Sequence, residues 1–135
     1  MTAPIVRLRL DFAPACSLGL DKITLLEGIG RTGSLSQAAR ELGISYRRAW
    51  LLLASLNTSF RERVAVTATG GQGGGGARVT RFGQELIAAY RAFEEETQVR
   101  AVQTLKTITA KARRSARVAS PASVGHLALR AATAN

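Results

Sequence analysis

Histidine and cysteine each occur once in the 135 residues, as His126 and Cys16. A single thiol rules out a disulfide within the chain, and one imidazole with one thiol rules out the usual zinc clusters. Unbroken apolar runs are short; the longest, Ala49 to Ala54, is far below the ~20 residues of a membrane span. Residues 1–10 alternate charges with aliphatics and lack the apolar block of a secretory signal. Acidic residues are scarce and stop at Glu96: residues 1–97 hold 12 basic and 9 acidic side chains, whereas residues 98–135 hold seven basic and none acidic. The resulting net charge of +10, with 46% hydrophobic residues to build a core, points to a folded, soluble, cytoplasmic protein with a polyanionic partner and no membrane association.

Catalysis has little to work with. Acid–base chemistry needs paired groups whose environments pull their pKa values apart. His126 has no carboxylate near it in sequence, Cys16 has no companion histidine, and no serine sits in a nucleophile elbow. Glu94-Glu95-Glu96 is a solvated run better suited to charge pairing across a dimer. The expectation is that the chain is not an enzyme.

The hydropathy pattern predicts a mainly α domain with a small β wing. Ile5 to Phe12 alternate apolar and charged residues as a strand does, and Ala13 to Leu18 then read as a connector. A helix follows from about Asp21 to Arg31, ended by Gly33 in a left-handed cap. Ser34 or Ser36 caps a second helix running to Leu42. After the Gly43-Ile44-Ser45 turn, Ser45 caps a third, Tyr46 to about Ser59, with Ala49, Leu52, Leu53, Leu56 and Phe60 inward. Val64–Thr67 and Arg78–Thr80 read as a hairpin with a glycine-rich tip. Thr80 then caps a helix from Arg81 to about Leu105, which would be about 37 Å long. That exceeds what so small a core covers, so a second copy is expected against it. Residues 1–105 thus form the domain, with the dimerisation helix at 81–105, and 106–135 a basic, flexible tail: either an arm on phosphates or a solvated extension.

Leu35 to Leu52 has helix-turn-helix spacing. Ala39 lies four residues before Gly43, and Ala49 and Leu52 lie six and nine after it. A small residue lets the helices cross closely, and the glycine takes a positive φ cheaply. The second helix is thereby presented to a major groove ~12 Å wide. Ser45, Tyr46, Arg47 and Arg48 form its first turn. The arginines are the candidates for base edges and phosphates, one for each, and Ser45 with the free N–H groups suits a phosphate. Tyr46 and Trp50 share a face, to touch thymine methyls or sugars or to pack at the edge of the core. In the wing, Gly73 and Gly74 bring backbone N–H groups to the duplex and Arg78 and Arg81 supply charge; no Gly-Lys-Ser/Thr follows, which excludes a nucleotide loop.

Gly33-Ser34-Leu35-Ser36-Gln37-Ala38-Ala39, Gly43 to Tyr46, Ala49-Trp50, the Ala68-Thr69-Gly70-Gly71 run with its following glycines, and Val79 to Gln84 resemble the DNA-binding domain of ModE-type molybdate-responsive transcriptional regulators. The wider kinship is to the winged helices of LysR-type regulators. The resemblance adds Ser34, Ser36 and Gln37 as DNA-contact candidates. It implies a winged helix-turn-helix homodimer, joined through its first and fourth helices, that binds a palindromic operator on double-stranded DNA and serves molybdate uptake or molybdenum metabolism. Full-length members carry a further molybdate-binding region of small β-barrels. Only 30 residues, 106–135, follow the long helix here, so no molybdate-binding domain and no cofactor are expected, which leaves molybdate sensing by this chain open and leaves room for a separate molybdate-sensing partner. The alternatives are a nonspecific nucleoid-type or RNA-binding basic protein, and a DNA-binding subunit whose effector is sensed in trans.

Overall fold

The computed structural model describes residues 3–68 and 76–113. In chain order it contains β1 (Arg9–Ala13), β2 (Cys16–Gly19), α1 (Leu20–Thr32), α2 (Leu35–Leu42), α3 (Tyr46–Ser59), β3 (Ala65–Thr67), β4 (Ala77–Val79), α4 (Arg81–Thr104) and α5 (Lys106–Lys111). Three helices, α1 to α3, pack around one core with a two-stranded antiparallel hairpin on each side. This is a winged helix-turn-helix, mainly α with a small β wing, as the hydropathy pattern predicts.

The helices begin and end where the sequence punctuates them. Gly33 (φ 70°) ends α1, its N–H donating to Ile29 O at 2.8 Å. Ser34, rather than Ser36, caps α2: its Oγ accepts from Gln37 N at 3.2 Å. Thr80 caps α4 through Gly83 N at 3.0 Å. Ile23, Leu25, Leu26 and Ile29 of α1 are fully buried, and each contributes ~1.5–3 kcal/mol through loss of water contact.

The N-terminal region departs from expectation. Residues 13–18 are not a connector. Pro14 and Ala15 make the turn of a hairpin, Ala15 in the left-handed region at φ 66°, and Cys16–Gly19 return as β2. The strand expected from Ile5 begins only at Arg9. Arg9 already pairs with Gly19, and the next residue opens α1, so residues 5–8 have no strand to pair with. They lie along α4 instead. Gln98 takes the place of a strand: its Oε1 accepts from Val6 N at 2.8 Å and its Nε2 donates to Pro4 O at 2.7 Å. Tyr90, 2% exposed, donates its hydroxyl to Leu8 O at 2.9 Å. Burial, and then the Glu94 carboxylate, hold that phenol above its ordinary pKa.

Lys22 is the one buried charged side chain among the described residues. Its Nζ donates to Ser17 O (2.6 Å), Ser55 Oγ (3.2 Å) and Ser17 Oγ (3.4 Å), tying the first hairpin, α1 and α3 together. Arg91 joins α1 to α4. Its guanidinium grips Glu27 at 2.7 and 3.0 Å and Glu94 at 2.7 Å, and these hydrogen bonds keep it protonated beyond the usual arginine range. Glu94 is therefore paired within the chain. Residues 106–111, expected as tail, form α5 after Leu105 closes α4. Arg114, Arg117 and His126 lie outside the described residues.

Helix α4 crosses the wing at Gly83. A Cβ there would stand 2.1 Å from Val64 O and 2.6 Å from Val79 Cγ1. Gly83→Ala should therefore destabilise by ~1–3 kcal/mol through forced backbone displacement, despite alanine's better helix propensity. Denaturant unfolding checks this; a midpoint at or above wild type would contradict the crossing.

Candidate nucleic-acid interface

The turn between α2 and α3 is built from backbone. Gly43 sits at φ 69° and donates its N–H to Arg40 O (3.2 Å), while Ile44 N donates to Ala39 O (3.0 Å). Ala38, Ala39 and Ala49 are buried at the crossing, where their small side chains let α2 and α3 approach. Ala38 also faces Gly28 of α1, where an added Cβ would come within 3.1 Å of its own. An Arg31–Glu41 ion pair bridges α1 and α2 outside this contact.

Ser45 caps α3 by accepting from Arg48 N at 3.0 Å. The hydroxyl oxygen is used, but its proton remains free to donate outward. Arg47 and Arg48 are exposed, and neither forms an ion pair among the described residues. They differ by ~100° around the helix, so they address different targets. Tyr46 (57%) and Trp50 (53%) are both open to solvent. Of the two roles weighed for Trp50, packing at the core edge does not bury it. Ser36 and Gln37 are exposed on the first turn of α2, and Ser34 is half-buried with its oxygen committed to the cap.

Three sets of hydrogen bonds shape the wing: two hold it to this motif, and one, from Thr80, joins its own two strands at their base. Ala77 N donates to Gly33 O at 2.8 Å, so β4 is bonded to the corner between α1 and α2. Thr80 Oγ1 donates to Arg63 O (2.6 Å) and Thr80 N to Val64 O (2.9 Å). The third set comes from Asn57, two turns along α3 from Trp50. Its Nδ2 donates to Ala65 O at 3.0 Å, and its Oδ1 accepts from Val64 N at 2.8 Å and Ala65 N at 3.4 Å. The presenting helix and the wing are thereby locked side by side. Arg78 is exposed on β4; Arg81 is exposed with its charge shared with Glu85 at 3.7 Å. Gly73 and Gly74 lie outside the described residues.

The fold brings Ser45, Tyr46, Arg47, Arg48 and Trp50 to the exposed N-terminal half of α3, and places Arg78 on the wing strand β4. Two contributors escape a reading of the sequence. Asn57 carries only a weak signal, a polar residue on the flank of an inward stripe. Arg63 carries none, since its place beside α3 exists only once the wing folds back. Among the described residues no group of three His, Cys, Asp or Glu could hold a metal, and no helix is long and apolar enough to cross a membrane.

No family model matches the chain. It is 46% identical over 90 residues to the molybdenum-pterin-binding protein MopA of Rhodobacter capsulatus, covering 67% of this chain and 34% of that protein. To the transcriptional regulator ModE of Yersinia pestis it is 46% identical over 85 residues, 63% of this chain and 32% of the relative. To the DNA-binding transcriptional dual regulator ModE of Escherichia coli (strain K12) it is 46% identical over 69 residues, 51% and 26%. The chain spans about a third or less of the length of these curated relatives, and the likeness lies in its N-terminal part.

Asn57→Ala should cost ~1–3 kcal/mol, because it strands the Val64 and Ala65 backbone groups. Hydrogen exchange should quicken at Val64 and Ala65 before it does in α1. Equal rates at all three places would remove the latch role.

Proposed function

From this ModE-type N-terminal part, we propose that the protein is a sequence-specific DNA-binding transcriptional regulator acting as a homodimer in molybdate uptake or molybdenum metabolism. The observation that carries the reading is the pair of unpaired arginines on the exposed first turn of α3, held out by the glycine turn and flanked by a basic wing. The named role of the E. coli relative as a DNA-binding regulator supports it. The name of the molybdenum-pterin-binding relative supports the metabolic setting.

In this reading α3 enters the major groove. Arg47 addresses a base edge and Arg48 a phosphate, Ser45 and the free N–H groups of α3 steady the backbone, and Ser36 and Gln37 of α2 reach the flanking strand. Gly73 and Gly74 of the wing tip approach the duplex closely, with Arg78 and Arg81 adding charge. Two copies would place their α3 helices ~34 Å apart on a palindromic operator. The surface suited to pairing is the distal half of α4, where Val99 and Val102 are exposed beside the N-terminal segment and its exposed Ile5.

Selection of bound duplexes from a random pool, run with and without molybdate, tests the reading. A palindromic consensus bound more than ~10³-fold tighter than scrambled sequence is expected. Equal affinity for both would favour the nonspecific nucleoid-type or RNA-binding alternative, which the net charge of +10 alone could drive. Arg47→Ala should lose ~1–3 kcal/mol and relax preference at one base pair of each half-site. Wild-type preference in that variant would remove Arg47 from base reading. Val102→Asp should convert the dimer to monomer in sedimentation; an unchanged mass would move the pairing surface elsewhere.

A further inference from the structure

Between α3 and the wing lies a cleft of ≈ 280 Å³, whose lining includes Trp50, Ala54, Thr58, Arg63 and Thr67. Its walls are fixed. Asn57 holds the Val64–Ala65 backbone to α3, and Arg63 O accepts from Thr80 Oγ1, so the Arg63–Val64 peptide is pinned at both its N–H and its C=O while the Arg63 side chain stays exposed. Among the described residues no carboxylate lies within ion-pair distance of Arg63. Across the cleft, Trp50 exposes about half of its surface although its neighbours Ala49 and Leu53 are buried. An unpaired guanidinium and an open indole facing one narrow cleft make a site for a ligand that is anionic along one edge and apolar along the other.

We propose that this cleft seats the single phosphodiester strand that separates the two grooves of the duplex, with Arg63 on a phosphate and the Trp50 indole against the adjoining deoxyribose. The proposal rests on the DNA reading above and adds a contact to it. When a helix lies in the major groove and a wing beside it reaches the neighbouring minor groove, one backbone strand passes between them, because that strand divides the grooves. Deoxyribose offers an apolar face of C–H groups and the phosphate offers two acceptor oxygens that match the arginine fork. The cleft contacts backbone only, so it sets register and strength without reading sequence.

Trp50 is the only tryptophan in the chain, so its emission reports on the cleft directly. The probes are a duplex recovered from the random-pool selection and an unrelated duplex of equal length. With the wild-type full chain, either duplex should change Trp50 emission on binding. Arg63→Ala and Arg63→Gln should each lower the slope of log affinity against log salt by ~0.9 per bound copy, with the selected consensus unchanged. Both variants should melt as wild type does, since the exposed side chain makes no hydrogen bond in the fold. Unaltered emission in a complex that demonstrably forms, or an unchanged slope in both variants, overturns the cleft while leaving the DNA reading intact. Failure of the wild-type chain to bind either duplex overturns both.

Discussion

The placement of the wing against α3 depends on the side-chain amide of Asn57. A helix and a two-stranded hairpin have no backbone bonding pattern in common, so a wing beside a helix is free to swing unless something else fixes it. Asn57 supplies a donor and an acceptor at one point on α3 and engages both polar groups of Ala65 and the N–H of Val64. The bond from Ala77 N to Gly33 O fixes the other strand to the opposite corner. The hairpin is thus held on both sides, and the spacing of Arg47, Trp50, Arg63 and Arg78 becomes a property of the fold.

The parts of this arrangement that were legible in sequence are those encoded locally. Gly33 and Gly43 announce left-handed caps, Ser45 and Thr80 announce helix starts, and the apolar steps of α1 and α3 announce their buried sides. Each signal acts within four residues, and each of these elements starts or stops within about a residue of its expected place. Fold elements that rest on distant partners were not legible. Nothing around Pro14-Ala15 signals a tight hairpin, because the left-handed position holds alanine and not glycine. The segment ahead of β1 alternates like a strand, but its ladder partner is a glutamine more than ninety positions away. The exposure of Tyr46, Arg47 and Arg48 follows from their position on the first turn of α3. Asn57 and Arg63 were not legible, because their value lies in contacts across the α3–wing seam.

Charge is distributed to match. The carboxylates that sit against the body are taken up by neighbouring arginines: Glu27 and Glu94 by Arg91, Glu41 by Arg31 and Glu85 by Arg81. Arg47, Arg48, Arg63 and Arg78 are left without such partners among the described residues. These four exposed cations stand on α3 and the wing and beside them, whereas seven of the ten excess positive charges of the chain lie in residues 98–135. Exposed cations of this kind contribute little to folding and are available to an anionic ligand.

The tight crossings at Gly28–Ala38 and Gly83–Val64 have a mechanical consequence. Helices that meet with no slack resist sliding or rolling against each other, and the domain answers an applied force as one stiff block. A signal arriving at such a block has little to reshape inside it. In the homodimer proposed above, what remains adjustable is its placement: the tilt and separation of one block relative to another, geared through the 24-residue lever of α4.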